Sequence, residues 1–170
     1  RPPRSTLFPY MTLFRSGADA VKLEGGADFV PQARAIIQAG IPFVGHIGML
    51  PQSVREEGGY KKKGRTPEDA ARLLADARAL DDAGACAIVL ESMMHDAAAV
   101  ITRQVSASTI GIGAGPATDG QVLVTHDLIG AFPWFRPPFA KARADIAAEC
   151  SRAAREFVRS CREPSGEKHG

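Results

Sequence analysis

Lys22 and Glu24 stand two positions apart in AVKLEGG, residues 20–26, an otherwise apolar run that ends in two glycines. Successive side chains of a strand point to opposite faces, so both charged groups leave the same face, close to the end of the strand. On an exposed strand they would form a solvated ion pair. On a buried strand they need a partner, a metal or a substrate, which makes the pair a candidate site.

Three further strand ends carry groups that could do chemistry. His46 ends the second predicted strand, Glu91 ends the third, and the sequence GIGAG, residues 111–115, ends the fourth. Barrels and open α/β sheets keep their active sites at the carboxyl ends of the strands. Four consecutive strand ends bearing such groups therefore favour one common site.

Each of these groups also has a structural explanation. His46 could be a core or rim histidine with satisfied hydrogen bonds, and Glu91 could cap the helix that follows it. GIGAG lacks the third glycine of a dinucleotide fingerprint, and its glycines could simply allow close packing.

Two other polar clusters are weaker candidates. The lysines at 61–63 are typical of a solvated loop, with a cationic lid over an anionic ligand as the functional alternative. Asp119, His126 and Asp127 resemble a metal-binding set only loosely, and helix capping or surface placement explains them as well.

Together the strand-end groups predict the enolisation of a 2-oxo acid. Glu24 suits a hard cation such as Mg²⁺, which usually takes one or two protein carboxylates and leaves positions for substrate oxygens. Lys22 could neutralise a substrate carboxylate. Glu91, on another strand, could remove a proton from carbon while the metal stabilises the enolate oxygen.

The elements that must position these groups alternate between strand and helix from Gly17 onward. Strands are predicted at ADAVKLEG, IPFVGHIG, ACAIVLES and STIGIGAG. The first two helices are predicted from Phe29 to Gly40 and from a Thr66 cap, with Pro67 at the first position, to Gly84.

Three more helices are predicted in the second half of the chain. One covers residues 96–105, a short one follows a cap within TDGQVLVTHDLIG, and a long one follows the turn FPWFRPPF. The apolar stripe predicted for the long helix consists of Phe139, Ala142, Ile146, Cys150, Ala153, Phe157 and Cys161.

This alternation predicts an α/β fold with a parallel sheet, either doubly wound or closed into a (β/α)8 barrel. A barrel needs about 250 residues, or about 31 for each βα unit. The 170 residues less the first sixteen leave 154, room for about five units. The barrel interpretation therefore expects about three units to be missing.

Residues 1–16, RPPRSTLFPYMTLFRS, have no helical or strand period and resemble translated sequencing-adapter DNA. We therefore expect this segment to be non-native and the true beginning of the chain to be missing. The alternative is a loosely packed N-terminal arm. We expect residues 17–162 to form the partial barrel and residues 163–170 a polar tail.

Composition and charge exclude several classes of protein. The chain has 21 basic and 19 acidic residues, and without the three arginines of residues 1–16 the balance is 18 to 19, so no nucleic-acid footprint is expected. No apolar run is long enough to span a membrane. Three unpatterned cysteines favour a reducing, cytoplasmic setting over a disulfide scaffold.

Five segments resemble, in order and spacing, the ketopantoate hydroxymethyltransferase family: GADAVKLEGG, GHIGMLPQS, GGYKKKGR, IVLES and IGIGAGPATDGQVLVTHDLIG. The resemblance runs from Gly17 to about Lys141, and the last segment is its most specific motif. It implies a (β/α)8 barrel of the phosphoenolpyruvate mutase and isocitrate lyase type, here without its first strands. It also implies a role in pantothenate and coenzyme A biosynthesis.

The resemblance assigns roles to four residues. It implies that Lys22 contacts the 2-oxo acid, Glu24 belongs to the Mg²⁺ site and Glu91 is the proton acceptor, with His46 lining the site in a supporting role. The implied substrate is 3-methyl-2-oxobutanoate, chelated to Mg²⁺. Its C3 proton passes to Glu91, and the enolate attacks the one-carbon unit of 5,10-methylenetetrahydrofolate, giving 2-dehydropantoate.

The chain departs from the family pattern in several places. Ser92, Met93 and Met94 stand where Cys-Val-Pro is frequent, and Leu50 stands where threonine is usual. Two metal-binding aspartates and a substrate-binding serine of the family lie on earlier strands, so we expect the chain to be inactive and poorly folded alone. The full-length family implies a large homo-oligomer.

Two alternatives remain. One is a Mg²⁺-dependent lyase of the same barrel superfamily that cleaves a C–C bond, from which folate-dependent turnover would distinguish the transferase. The other is an inactive fragment or binding module, for which Mg²⁺ binding would not depend on Glu24. A dinucleotide-binding protein is a weaker third possibility. It requires a ribose-binding acid about 20 positions beyond the glycines, and the segment THDLIGAFPWFRPPF offers only Asp127.

Overall fold

The structure is a computed structural model that describes residues 17–49 and 62–162. The predicted non-native segment 1–16, the polar tail 163–170 and residues 50–61 lie outside the described residues. The last of these ranges includes Leu50 and Lys61, the first of the three lysines. The chain divides into two compact units, one ending at Val122 and the other beginning at Leu123.

The first unit alternates strands and helices as the sequence predicts. Its strands are β1 (Val21–Glu24), β2 (Phe43–Gly48), β3 (Ala87–Glu91), β4 (Ser108–Ile112) and β5 (Gly120–Gln121). A 3-10 turn (Ala27–Phe29) leads into α1 (Val30–Gln38), and the other helices are α2 (Pro67–Asp82) and α3 (His95–Gln104).

All five strands are parallel, and they pair in chain order, β1-β2-β3-β4-β5. A doubly wound sheet reverses its strand order at a switch point, whereas the strands of a (β/α)8 barrel follow one another around the sheet. Sequential order without reversal is therefore the arrangement of consecutive barrel strands.

The strand β5 is not predicted by the sequence pattern. Gly120 and Gln121 pair with Ile110 and Gly111, where a helix cap had been predicted. A strand of two residues is too short to show alternation, so no periodic pattern marks it. Val122 extends the pairing by donating from its backbone N–H to the Gly111 carbonyl at 3.0 Å.

The two faces of the sheet have different surroundings. One face packs on the helices and forms the apolar core, to which the strands contribute Val21, Phe43, Ile47, Ile88 and Leu90 and the helices Ile36, Leu73, Leu80 and Ile101. The residues between them point to the opposite face, where Val44, Val89 and Ile110 are only partly buried. This second face, called the site face below, carries Lys22, Glu24, His46 and Glu91.

Local signals in the sequence set the ends of the helices. The Thr66 hydroxyl accepts from the backbone N–H of Asp69 at 3.2 Å, and Pro67 occupies the first turn of α2. Gly40 and Gly84 follow α1 and α2 with positive φ values of 78° and 99°. A left-handed residue ends a helix most readily when it is glycine, which confirms these predicted stops.

The second unit contains a four-residue helix, α4 (Thr125–Leu128), and a long helix, α5 (Ile146–Arg162). The prediction that the long helix already includes Phe139 and Ala142 is wrong. Arg143 and Ile146 donate backbone hydrogen bonds to the carbonyls of Leu128 and Ile129, which holds residues 143–146 against the end of α4. Asp145 then accepts from the N–H of Ala148 at 3.1 Å and caps the helix there.

Over the described ranges, 17–49 and 62–162, no helix is both long and apolar enough to cross a membrane.

Candidate active site

Strand register brings together the four side chains that the sequence singled out. Glu24 and His46 are partners across β1 and β2, so their side chains leave the site face side by side. Glu91 pairs with Gly48, two residues beyond His46 on β2, and therefore lies diagonally next to the imidazole. The carboxyl ends of β1, β2 and β3 thus supply one cluster, as predicted.

The imidazole of His46 is the centre of this cluster. Its Nδ1 lies 3.1 Å from Lys22 Nζ and 3.6 Å from Glu24 Oε1, and its Nε2 lies 3.0 Å from Glu91 Oε2. Lys22 Nζ also lies 3.6 Å from Glu24 Oε1. The four groups therefore form one network, and the solvated Lys22–Glu24 pair considered from the sequence is only part of it.

Burial increases from the lysine toward the histidine. The side chain of Lys22 is 46% exposed, that of Glu24 20%, that of Glu91 13% and that of His46 3%. A nearly buried imidazole is held in place by its neighbours, whereas the lysine keeps its ammonium at the surface, where a ligand can reach it.

Two buried atoms of the cluster have no hydrogen-bond partner in the described structure: Glu24 Oε2 and His46 Nε2. The 3.0 Å approach of His46 Nε2 to Glu91 Oε2 is within ion-pair distance, but a hydrogen on Nε2 does not point toward the carboxylate oxygen. The two groups are thus adjacent without a formed hydrogen bond. Buried polar atoms without partners are rare and mark places where a ligand or a small rotation supplies the partner.

The backbone around Glu91 is held from both sides. Met49 donates from its N–H to the Glu91 carbonyl at 2.9 Å, and Ser92 donates to the Ile112 carbonyl at 2.8 Å. Ser92 is the non-glycine residue with a positive φ, 48°, among those described. An unfavourable backbone conformation next to a candidate base is a feature typical of functional sites.

The capping explanation for Glu91 is wrong in this structure. The N-cap residue of α3 is Met94, which makes no side-chain capping hydrogen bond, and Glu91 lies at the end of β3 facing His46. The backbone of Lys63 binds the segment that follows Glu91. Its carbonyl accepts from the Met94 N–H at 2.8 Å, and its N–H donates to the Ser92 carbonyl at 2.9 Å.

Asp119 has a role that the sequence pattern does not predict: it holds the loop after β4. Asp119 Oδ2 accepts from the backbone N–H of Thr109 at 2.7 Å and from its hydroxyl at 2.9 Å. These hydrogen bonds lower the pKa of Asp119. The available sequence signal for this contact was an aspartate ten residues after a threonine in an apolar strand.

The weaker metal set is not supported. The Asp119 carboxylate accepts hydrogen bonds from Thr109. The His126 ring stacks on Phe132, with ring centroids 5.0 Å apart. No group of three or more His, Cys, Asp or Glu side chains in the described part of the chain is placed to hold a metal ion.

Glu24 nevertheless fits one position of a magnesium site. Its Oε2 is buried and lacks a hydrogen-bond partner, while its Oε1 faces Lys22 and His46. A free carboxylate oxygen is the ligand that Mg²⁺ prefers, and the ion usually takes only one or two from a protein. Within the described residues, Glu24 supplies one such oxygen.

Two cavities formed by the described residues do not include the side chains of the cluster. One, of about 480 Å³, lies between the amino-terminal halves of α2 and α3. The other, of about 420 Å³, is lined by Gly25, Gly48 and residues of α2. The strand-end cluster lies on the site face instead.

A sequence model of ketopantoate hydroxymethyltransferase matches residues 7–165. The chain is 53% identical to 3-methyl-2-oxobutanoate hydroxymethyltransferase of Cenarchaeum symbiosum over 145 residues, which is 85% of this chain and 55% of that protein. It is 52% identical to the enzyme of that name from Moorella thermoacetica over 143 residues, 84% and 53% of the two chains.

A third relative extends the match. The 3-methyl-2-oxobutanoate hydroxymethyltransferase of Ignicoccus hospitalis is 48% identical over 158 residues, 93% of this chain and 59% of that protein. The chain thus spans a little over half the length of the curated relatives it matches. These matches confirm the resemblance and, with the parallel sheet, the incomplete (β/α)8 barrel: the chain belongs to the ketopantoate hydroxymethyltransferase family.

Proposed function

We propose that the complete protein of this chain transfers a hydroxymethyl group from 5,10-methylenetetrahydrofolate to 3-methyl-2-oxobutanoate, giving 2-dehydropantoate for pantothenate biosynthesis. The observation that carries the proposal is the convergence of Glu24, His46 and Glu91 beside Lys22 on one face of the sheet, in a chain of this family.

Lys22 would bind the 2-oxo acid substrate, and Glu24 would bind the metal ion. The partly exposed ammonium of Lys22 suits the carboxylate of a 2-oxo acid, and Oε2 of Glu24 would hold Mg²⁺. When bound, Mg²⁺ would draw electron density from the keto oxygen and so make the C3–H bond of the substrate more acidic.

Glu91 would act as the general base. Its carboxylate would take the proton from C3, and C3 would then form a bond to the one-carbon unit as the two bonds between that unit and the folate nitrogens break. Water would supply the oxygen of the new hydroxyl group. The proton released by that water and the proton held by Glu91 would pass to the two folate nitrogens, and tetrahydrofolate would leave. His46, packed against Glu91 Oε2 at 3.0 Å, would support the base.

We propose that the described residues do not suffice for this reaction. Glu24 is one carboxylate ligand, and the family resemblance places two metal-binding aspartates and a serine on other strands. The sheet also ends at β1, whose free edge pairs with no other described strand. Such an edge favours association, so we expect the chain alone to be inactive and to aggregate.

The test is a chimera that completes the barrel. Residues 17–162 are joined to the part of the Moorella thermoacetica relative that the match leaves out, and the full-length relative is the positive control. Product is measured by mass spectrometry with and without folate, and exchange of the C3 proton in D₂O is followed by NMR. The matched pair of variants is Glu91→Gln and Glu68→Gln, the second of which lies in the exposed first turn of α2.

We expect the chimera to form product, Glu91→Gln to lose at least about 100-fold in both product formation and C3 exchange, and Glu68→Gln to match the parent. Activity that survives Glu91→Gln would overturn the proposal. Turnover of a 2-oxo or 2-hydroxy acid without folate would favour the lyase, and a folded but inert chimera would favour the binding module.

We further propose a cytoplasmic homo-oligomer that acts on small molecules and binds neither nucleic acid nor membrane. The proposed cytoplasmic location is supported by the cysteines, which are all free thiols: Cys86, Cys150 and Cys161. The oligomer rests on the family resemblance, and Phe157, 69% exposed on α5, would suit a contact between subunits.

A further inference from the structure

The Nδ1 atom of His46 faces two groups with opposite requirements. Lys22 Nζ, 3.1 Å away, is an ammonium that can only donate a hydrogen bond, and Glu24 Oε1, 3.6 Å away, is a carboxylate oxygen that can only accept one. A single ring nitrogen cannot accept from the first and donate to the second at once. The shorter distance belongs to the lysine, so Nδ1 is the acceptor.

The other ring nitrogen has only one close neighbour in the described cluster. Nε2 lies 3.0 Å from Glu91 Oε2, and an ionised carboxylate accepts but does not donate. The hydrogen that Nδ1 lacks is therefore required on Nε2. Because the ring is 3% exposed, water does not decide between the two tautomers.

The other two protonation arrangements of the ring each place like groups face to face. With its hydrogen on Nδ1, the ring would present an N–H to the ammonium of Lys22 and a lone pair to the carboxylate of Glu91. With hydrogens on both nitrogens, the ring would be a cation whose Nδ1–H faces the ammonium at 3.1 Å. The tautomer with its hydrogen on Nε2 is the arrangement that places unlike groups at both short contacts, a lone pair beside the ammonium and an N–H beside the carboxylate.

We propose that Lys22 is a positioning residue for Glu91: by donating to Nδ1 it selects the Nε2–H tautomer of His46, which places the ring hydrogen on the nitrogen that lies beside the carboxylate of Glu91. This gives Lys22 a task besides contacting the substrate, and it acts through the imidazole. The consequence for Glu91 as a base rests on the proposed function, whereas the tautomer itself does not.

The backbone keeps the three groups in register. His46 accepts through its carbonyl from the N–H of Gly25 at 2.9 Å, which ties β2 to the residue after Glu24. Met49 donates to the Glu91 carbonyl at 2.9 Å, which ties β2 to β3. A small rotation of the Glu91 side chain would align its oxygen with the Nε2–H and satisfy the buried nitrogen.

The experiment reads the tautomer directly by NMR at neutral pH. The chimera that completes the barrel, which is the parent chain in this test, is labelled with ¹⁵N-histidine, and two-bond ¹H–¹⁵N correlations identify which ring nitrogen carries the hydrogen. The resonances of His46 are assigned by their loss in His46→Gln. Lys22→Met removes the donor, Lys22→Arg retains one, and Lys141→Met changes an exposed lysine of the second unit as a control.

We expect the parent chain, Lys22→Arg and Lys141→Met to show the hydrogen on Nε2. In Lys22→Met the remaining neighbour of Nδ1 is the Glu24 carboxylate, so the hydrogen should be found on Nδ1. A hydrogen on Nδ1, or on both nitrogens, in the parent chain would overturn the proposal, and so would Lys22→Met with an unchanged ring.

Two further measurements keep the test decisive. Backbone amide spectra show whether Lys22→Met is folded. If it is not folded, the test uses Glu24→Gln and the parent chain instead. Both of these must then carry the hydrogen on Nε2 of His46. Because no substrate is present, a failed chimera assay with the expected tautomer would overturn the proposed function alone. Activity in the chimera with the wrong tautomer would overturn this inference alone.

Discussion

Gly48 and Glu91 are register partners on β2 and β3, and their backbones approach so closely that a Cβ on Gly48 would collide with the carbonyl oxygen of Glu91. Gly48 also has a positive φ of 101°. The residue opposite the candidate base is therefore a glycine for two separate reasons, steric and conformational.

We predict that Gly48→Ala lowers the free energy of unfolding by about 2 kcal/mol or more, because strain at the backbone adds to the left-handed penalty. Urea denaturation of the chimera and its variants measures the change. Gly40→Ala separates the two effects, since Gly40 has a φ of 78° but open space around it. Gly120→Ala has neither problem and should stay within about 0.5 kcal/mol of the parent. Equal effects at Gly48 and Gly40 would show that the close approach is harmless.

Much of the fold and of the site followed from patterns of two kinds. Alternating apolar strands and capped helices predicted β1 to β4 and α1 to α3, because each of those elements has a full period of its own pattern. The charged residues at the ends of β1, β2 and β3 predicted a common site, because parallel strands present their carboxyl ends at one edge. The contact of three of these groups with the imidazole of His46 depends on how β1, β2 and β3 pair. No local sequence pattern contains that strand register.

The features that escaped prediction depend on contacts distant in sequence or on very short elements. The two-residue strand β5 has no period, and Asp119 binds the buried Thr109 ten residues earlier. The start of α5 was predicted too early because Phe139 and Ala142 continue its apolar spacing. The helix begins at Ile146 because backbone bonds from Arg143 and Ile146 to the end of α4 take precedence over that spacing.

Glu24→Gln is predicted to weaken binding of a divalent cation in the completed barrel. The variant removes the charge of the buried carboxylate whose Oε2 has no protein partner, so the ion loses a ligand. We expect the dissociation constant for Mn²⁺, read by electron paramagnetic resonance as a substitute for Mg²⁺, to rise at least about tenfold, the smallest effect usual even for outer-shell partners. Glu68→Gln is the control, and equal binding by both variants would remove Glu24 from the metal site.

Asp145→Ala is predicted to fray the first turn of α5. Asp145 Oδ1 accepts from the Ala148 N–H at 3.1 Å, and none of the residues of α5 is buried, so its stability depends on local interactions. Loss of an N-cap costs about 1 kcal/mol, which should speed amide hydrogen exchange at Ala148 about fivefold. Asp145→Asn should retain most of the protection, and unchanged exchange in the alanine variant would contradict the cap.

Asp81 is predicted to make stability depend on pH in acid. Burial alone would raise the pKa of this carboxyl, but hydrogen bonds from the backbone and hydroxyl of Ser106 and from the Ala107 N–H lower it below the usual value. All three bonds are 2.8 Å long and tie the last turn of α2 to the loop before β4. The folded protein therefore holds the ionised form more tightly than the unfolded chain does.

The sign of the effect follows from that lowered pKa. The stabilisation is complete above the unfolded pKa of about 3.9 and disappears as the pH falls through the lower folded value. Asp81→Asn should cost about 1 kcal/mol at pH 7, allowing for solvent screening of a partly exposed group, and the gap to the parent should close toward pH 2. Denaturant titrations between pH 7 and pH 2 measure the gap. Asp82→Asn, at the exposed neighbouring carboxylate, should show none. A gap for Asp81→Asn that stays constant down to pH 2 would show that its carboxylate charge does not stabilise the loop.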